Sequence, residues 1–284
     1  MKSQGLALIA TVAALFLGAA PAAPPTFTIT LGARTACVDP TTRHFARADG
    51  GSIDVQGPAQ GVLVANLCGS VAANAYLGHT GSALESFHLV QEFEIACSDT
   101  SVSTVALTLD SSLVGFVRSK YKGGACVQVA SATVTSVGSP ASPLSIAYPP
   151  MCVAGTEARL CNQHTEPITG RSLPLGKYVL TAELVIEAEA SGLCDGHSAA
   201  DFSPTAALPA DFVRLRDPFQ NVDKKNFGFT ITLTAAPAGG PIALHRRDDA
   251  KIVRTSGNSA QVPQPIRKMP VRSAFAGKGS PFHY

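Results

Sequence analysis

The densest grouping of metal-ligating and nucleophilic side chains lies late in the chain, where Cys152 is followed by Cys161-Asn162-Gln163-His164 and then by Cys194-Asp195-Gly196-His197. A cysteine three residues before a histidine thus occurs twice. Two thiolates and two imidazoles make up a tetrahedral zinc set, so Cys161, His164, Cys194 and His197 are the metal candidates. Oxidation competes for the same sulfurs. There is no C-x-x-C knuckle, and the stretch between Cys152 and Cys161 reads as a loop that a disulfide would close, at a gain of about 2–3 kcal/mol. On spacing and on the compartment argued below, disulfide-bearing loops are favoured over zinc, and no cofactor is expected.

Carboxylates offer a second chemistry. Glu92 and Glu94 fall on one face of a predicted strand, and Glu183, Glu187 and Glu189 share a face of another. Residues two apart on a strand are separated by about 6.5–7 Å, a spacing that admits a water between an acid and a base in sugar hydrolysis. Water-facing strand surfaces carry such pairs routinely, so a solvated face is the preferred reading. Residues 217–223, Asp-Pro-Phe-Gln-Asn-Val-Asp, offer oxygen ligands but lack the density of a calcium loop and read as a turn. His44, His79 and His88 stand singly. No G-x-S-x-G elbow, H-E-x-x-H helix, P-loop or G-x-G-x-x-G fingerprint is present, so no catalytic residue is assigned. The absence of Trp, with only five Tyr, argues against a sugar platform built from stacked rings.

The compartment is read from the first residues. Met1-Lys2 begins a positive start, Gly5 to Leu17 is almost uninterrupted apolar sequence, and Ala20-Pro21-Ala22 supplies the small residues of a signal-peptidase site. A membrane span needs about 20 apolar residues, and this run is shorter before it breaks into Pro21, Pro24 and Pro25. Residues 1–22 are therefore predicted to be a removed secretory signal. No transmembrane segment is expected after its removal, and the location is secreted or extracytoplasmic, in a periplasm or at a cell surface. The seven cysteines, Cys37, Cys68, Cys97, Cys126, Cys152, Cys161 and Cys194, agree with that: most should pair where thiols oxidise, and an odd count leaves at least one over.

Charge divides the chain unevenly. Residues 23–244 hold 13 Lys and Arg against 18 Asp and Glu, whereas residues 245–284 hold 8 against 2. The basic tail is rich in Ser, Gly and Pro, has no apolar periodicity, and is predicted to be disordered. Its cations are scattered with no aromatic platform between them. Specific nucleic-acid binding is therefore not expected, and salt-sensitive attraction to anionic surfaces is the contact open to it.

The elements that position these groups read as strands. With 45% hydrophobic residues the chain can bury a core, and 25 Gly and 20 Pro interrupt it too often for long helices. In residues 178–190, Tyr178, Leu180, Ala182, Leu184, Ile186 and Ala188 alternate with Thr181, Glu183, Glu187 and Glu189. Phe227, Phe229, Ile231 and Leu233 alternate with small polar residues, as do Phe27, Ile29 and Leu31. Further strands are predicted over 87–95, 102–109, 113–117 and 126–137. One polar face per strand implies antiparallel pairing. Residues 62–77 admit a helix, with Leu63, Leu67 and Val71 on one side, or a strand, since Gly61, Gly69 and Gly78 weaken a helix. Roughly nine to eleven strands separated by turn signals make the fold class all-β, an antiparallel β-sandwich of Ig-like or jelly-roll-like type. The Pro-rich stretch 138–150 either divides residues 23–244 into two sandwiches or crosses over within one, and the similar composition on its two sides favours the crossover.

The function this supports is a binding or structural role as a secreted or envelope protein, stabilised by disulfides. Its partner is an extracellular protein or surface component. Two alternatives remain open: a secreted hydrolase with a carboxylate or metal site, and an assembling surface-fibre subunit whose incomplete sheet edge accepts a neighbour's strand.

Overall fold

The computed structural model describes residues 23–43, 45–57, 60–169, 172–192, 196–204 and 224–238. Residues 1–22, expected to be a signal, His44, Cys194, residues 217–223 and the expected tail 245–284 lie outside them. Two antiparallel sheets pack face to face. The first has six strands: β1 (Phe27–Thr42), β4 (Gly81–Cys97), β12 (Gly176–Ser191) and β6 (Lys122–Ser136) lie side by side, and β7 (Leu144–Ala147) and β8 (Met151–Ala154) both pair with the outer edge of β6. The second has eight: β2 (Ala46–Gln56), β3 (Val62–Ala75), then β13 (Gly196–Asp201) and β14 (Gly228–Ala236) end to end, then β5 (Thr104–Lys120), whose far edge takes β9 (Glu157–His164), β10 (Ile168–Thr169) and β11 (Leu173–Pro174). The all-β sandwich expected from the alternation is therefore what forms.

Period-two patterning sorts the side chains. On β4, Phe87, Leu89, Phe93 and Ile95 are buried, while His88, Val90, Glu92 and Glu94 between them face water. On β12, Tyr178, Leu180, Leu184 and Ile186 point into the same core. The second sheet contributes Leu63, Leu67, Leu107, Leu109, Leu113, Phe229, Ile231 and Leu233 from its inner face. Phe93 and Tyr178, directly paired across β4 and β12, stack with ring centroids 5.6 Å apart.

Residues 62–77 resolve to a strand, and the reason they read ambiguously is physical. Leu63, Leu67 and Val71 are four apart, a spacing that shares one face of a helix and, being even, also one face of a strand. From Cys68 to Ala73 the strand is buried on both sides, so the polar alternation that marks a half-buried strand is missing there.

The Pro-rich stretch lies inside the sandwich. Leu144, Ile146 and Tyr148 are buried, and Leu144–Ala147 pairs with β6. The Tyr148 hydroxyl donates to the carbonyl of Ser111 at 2.9 Å, and its ring meets Phe229 edge-on at 6.0 Å. These contacts fasten it to the opposite sheet.

The disulfide forms elsewhere than the loop-closure argument placed it. Cys152 bonds to Cys126, its cross-strand partner between β8 and β6. Cys152 is on the outer face of its sheet and is taken by Cys126, whereas Cys161, on the other sheet, points into the core, where its thiol donates to Leu113 O at 3.4 Å.

One close approach between the sheets constrains the sequence. The Phe87 ring fills the space beside Gly51 on β2 and Gly69 on β3, and a Cβ at either glycine would overlap that ring. At Gly69 it would also lie 2.7 Å from the carboxylate of buried Glu85, whose other oxygen accepts from Gly51 N at 3.3 Å. We predict that Gly69→Ala lowers stability by about 1–3 kcal/mol through overpacking. Urea unfolding followed by circular dichroism will show the shift in midpoint.

Candidate functional site

Residues opposed on antiparallel neighbours share a face, so the register of the six-stranded sheet fixes what its outer surface presents. One row runs Thr30, Glu94, Lys177 across β1, β4 and β12. The next rows are Glu92, Val179, Thr135 and then Thr35, Val90, Thr181, Thr133, Ser145. Beyond them come Cys37, His88, Glu183, Ser131 and, further along, Thr41, Leu84, Glu187, Cys126, Cys152. Asp39 and Glu189 complete the acidic set. Among the described residues this face carries six carboxylates against Lys177, at the start of β12, and Lys122, on β6 across from the end of β12. Its outward positions carry no Phe or Tyr: Phe93 and Tyr178 border the trough described next, but their side chains are on the buried parity.

Two cavities open on it. A trough of about 390 Å3 crosses β1, β4, β12 and the end of β6 and is lined by Thr30, Gly32, Glu92, Glu94, Lys177 and Val137. A smaller one of about 190 Å3 lies between β4, β12 and β6, with His88, Ser131, Thr133, Thr181 and Glu183 around it. The trough owes its shape to a β-bulge in β1 between Leu31 and Arg34. Buried Gln91 reaches into the bulge, its Nε2 donating to Gly32 O at 3.3 Å and Ala33 O at 3.2 Å, the carbonyls the bulge has turned away from the ladder.

Both carboxylate sets singled out from the sequence thus come together on one surface. The zinc candidates do not. Cys161 and His164 are three apart on β9, a spacing that would align them on a helix but on a strand puts them on opposite faces, Cys161 inward and His164 outward. His164 pairs with Ser112 and His197 with Lys120, eight residues further along β5, or about 27 Å at strand rise. His197 Nδ1 instead sits 2.8 Å from Asn74 Oδ1. Burial pushes the Cys161 thiol up to about 12, so it is not a thiolate at neutral pH. Among the described residues no three His, Cys, Asp or Glu side chains are placed to hold a metal ion, and Cys194 lies outside those residues.

Two features escaped the sequence reading. One is the row that sets Cys37 beside His88 and Glu183, groups distant in the chain that only the strand register joins. The other is charge on the outer face of the eight-stranded sheet, where Arg118 and Asp201 are both buried. The Arg118 guanidinium lies 5.4 Å from the Phe116 ring centroid, and Asp201 accepts from Ser203 N at 3.0 Å. Polar residues at strand positions gave no sign that this face would be covered.

Glu187 is the carboxylate most affected by its surroundings. Burial raises it above the usual 4.5, the neighbouring charge of Glu189 raises it further, and Gln128 Nε2, which donates to Glu187 Oε2, opposes both. Between 4.5 and the raised value the folded chain keeps a proton that the unfolded chain has lost, so this group's contribution is most favourable below 4.5 and declines as pH climbs through the folded value. Glu187→Gln should therefore raise the thermal unfolding midpoint at pH 7, and the advantage over the parent should vanish by about pH 4, as scanning calorimetry at the two pH values will show.

No family model matches the chain, and no curated protein matches it. Among solved structures, a carbohydrate-binding module in complex with β-1,4-galactotriose aligns with 52% of this chain and 83% of its own, at 14% identity and a TM-score of 0.15. So slight a likeness carries no statement about ligand.

Proposed function

We propose that this chain is an exported, disulfide-stabilised binding module whose contact surface is the outer face of the six-stranded sheet. Its partner is an extracellular protein or surface component that presents amines or guanidinium groups. The observation that carries this reading is the coincidence of both cavities with the six-carboxylate surface. Carboxylates on an open face attract cations over a Debye length of about 8–10 Å at moderate salt, and the Ser and Thr hydroxyls between them supply donors and acceptors for orientation. A neutral glycan would find no phenyl or phenol ring on this face to stack against.

The hydrolase reading fits the same surface less well. Glu92 and Glu94 are both exposed, whereas a carboxyl that acts as a general acid is usually enclosed by apolar groups. The reading as a binding module needs only the charge and the shape.

Titration with spermine at low ionic strength tests it. The parent chain should bind, and Glu92→Gln, Glu94→Gln and Glu189→Gln combined should weaken binding roughly tenfold, in line with the modest worth of exposed ion pairs. Salt at 0.5 M should abolish the difference. Equal binding by parent and triple variant, or turnover of a neutral oligosaccharide that the triple variant loses, would overturn the reading.

A further inference from the structure

The row Cys37, His88, Glu183 places a thiol, an imidazole and a carboxylate side by side on three adjacent strands. The Cβ atoms of directly opposed residues lie about 4.5–5.5 Å apart, a separation that a change of side-chain rotamer closes to hydrogen-bonding distance between the Cys37 sulfur and the imidazole. All three residues are on the outer parity of their strands, since Phe87 and Leu89, which flank His88, are in the core. The imidazole is between the other two. Its Nδ1 lies 3.6 Å from Glu183 Oε1, and β1, which carries Cys37, runs along the opposite side of β4 from β12. With Nδ1 turned toward the carboxylate, Nε2 is the nitrogen left for the thiol.

Cys37 also differs from the other sulfurs. Cys126 and Cys152 are bonded to each other, Cys68 and Cys161 are buried and Cys97 is half-buried, whereas Cys37 is exposed on an edge strand. The cavity of about 190 Å3 beside His88 has walls of Ser131, Thr133 and Thr181 hydroxyls, so there is polar space next to the imidazole, on its β12 side. The charges facing the row are Glu183 on β12 and Asp39 on β1. On β4 the outward neighbours of His88 are the uncharged Ser86 and Val90, and on β12 those of Glu183 are Thr181 and Val185.

We propose that Cys37 is a thiol–disulfide exchange site for small polar disulfides with cationic arms, with His88 as the base and Glu183 as the residue that positions it. In the step, the Cys37 proton passes to His88 Nε2 and the sulfur forms an S–S bond to one sulfur of the incoming disulfide. The bond between the two incoming sulfurs breaks, and the departing thiolate takes up the proton from His88. The incoming disulfide is the electron acceptor, so one disulfide and one thiol become one mixed disulfide and one thiol with no other oxidant. The site stands independently of the proposed binding partner, because it rests on three residues and not on the charge of the whole face.

Site-resolved mass spectrometry of the full chain, following the Cys37 peptide over time, tests the proposal with three probes: cystamine, oxidised glutathione and the neutral hydroxyethyl disulfide. Cystamine should modify Cys37 about tenfold faster than oxidised glutathione at low salt, given the carboxylates around it. With the neutral probe, His88→Gln should slow modification roughly tenfold, and imidazole added to the buffer should restore part of the lost rate. Glu183→Gln should fall between the two. Replacing a merely structural histidine would give no rescue by imidazole, and matched unfolding midpoints for parent and variants separate the effect from loss of fold. An unchanged rate in His88→Gln, or a slowed rate that imidazole does not restore, would overturn the role of the base, and equal rates with cystamine and glutathione would overturn the substrate class.

Discussion

The burial of Phe87, Leu89, Phe93 and Ile95 between the sheets determines where every other residue of β4 points. Because side chains alternate strictly along a strand, a slip of one residue would expose these four and bury His88, Val90, Glu92 and Glu94 in their place. The cost of removing two carboxylates from water makes that register inaccessible. Phe87 adds a steric lock, since its ring fits only where Gly51 and Gly69 leave room on the facing sheet. The strands on either side inherit the constraint: β1 and β12 are paired to β4 along most of their length, so one set of apolar contacts aligns Cys37, His88 and Glu183 into a row.

What could be read in the sequence follows from which strands have one wet face. Residues 178–190 alternate cleanly because β12 has the core on one side and water on the other. The segment around Cys68 to Ala73 lacks a wet face, and there the pattern lost its power to separate helix from strand. The carboxylate sets were visible because each lies within one strand. Their assembly into one surface was not, because it depends on which strands are neighbours, and β4 meets β12 only after the strands β5 to β11 have intervened. The cysteine pairing failed for the same reason. Proximity in sequence favoured Cys152 and Cys161, but a bend after β8 carries the chain to the other sheet, and Cys126 is the residue across the ladder.

Shared amino-acid wording does not imply shared placement either. Phe-Thr-Ile-Thr-Leu occurs in β1 and again in β14, in different sheets, with Phe and Ile buried in both. Alternation alone accounts for the two copies, because any half-buried strand of this composition meets the same demand. The bulge in β1 is where the two copies part: immediately after Leu31 the strand gains extra residues, Gln91 fills the gap from the core side, and the trough opens on the other. A local backbone irregularity, stabilised by one buried amide, thereby shapes the larger cavity of the acidic face.

The sulfurs show how a single architecture assigns different chemistry to identical side chains. Cys161 sits inside the sandwich, where the lack of water pushes its thiol up to about 12 and leaves a small apolar side chain with one weak hydrogen bond. Cys126 and Cys152 face each other across a ladder at the sheet edge, with Cα atoms 4.2 Å apart, so the bond between them joins a short strand to a long one. Cys37, on the opposite edge of the same sheet, faces a histidine where the disulfide cysteines face each other. Parity explains the first difference and the cross-strand partner the second. The identity of the opposing residue, not the cysteine itself, separates a structural sulfur from one available for reaction.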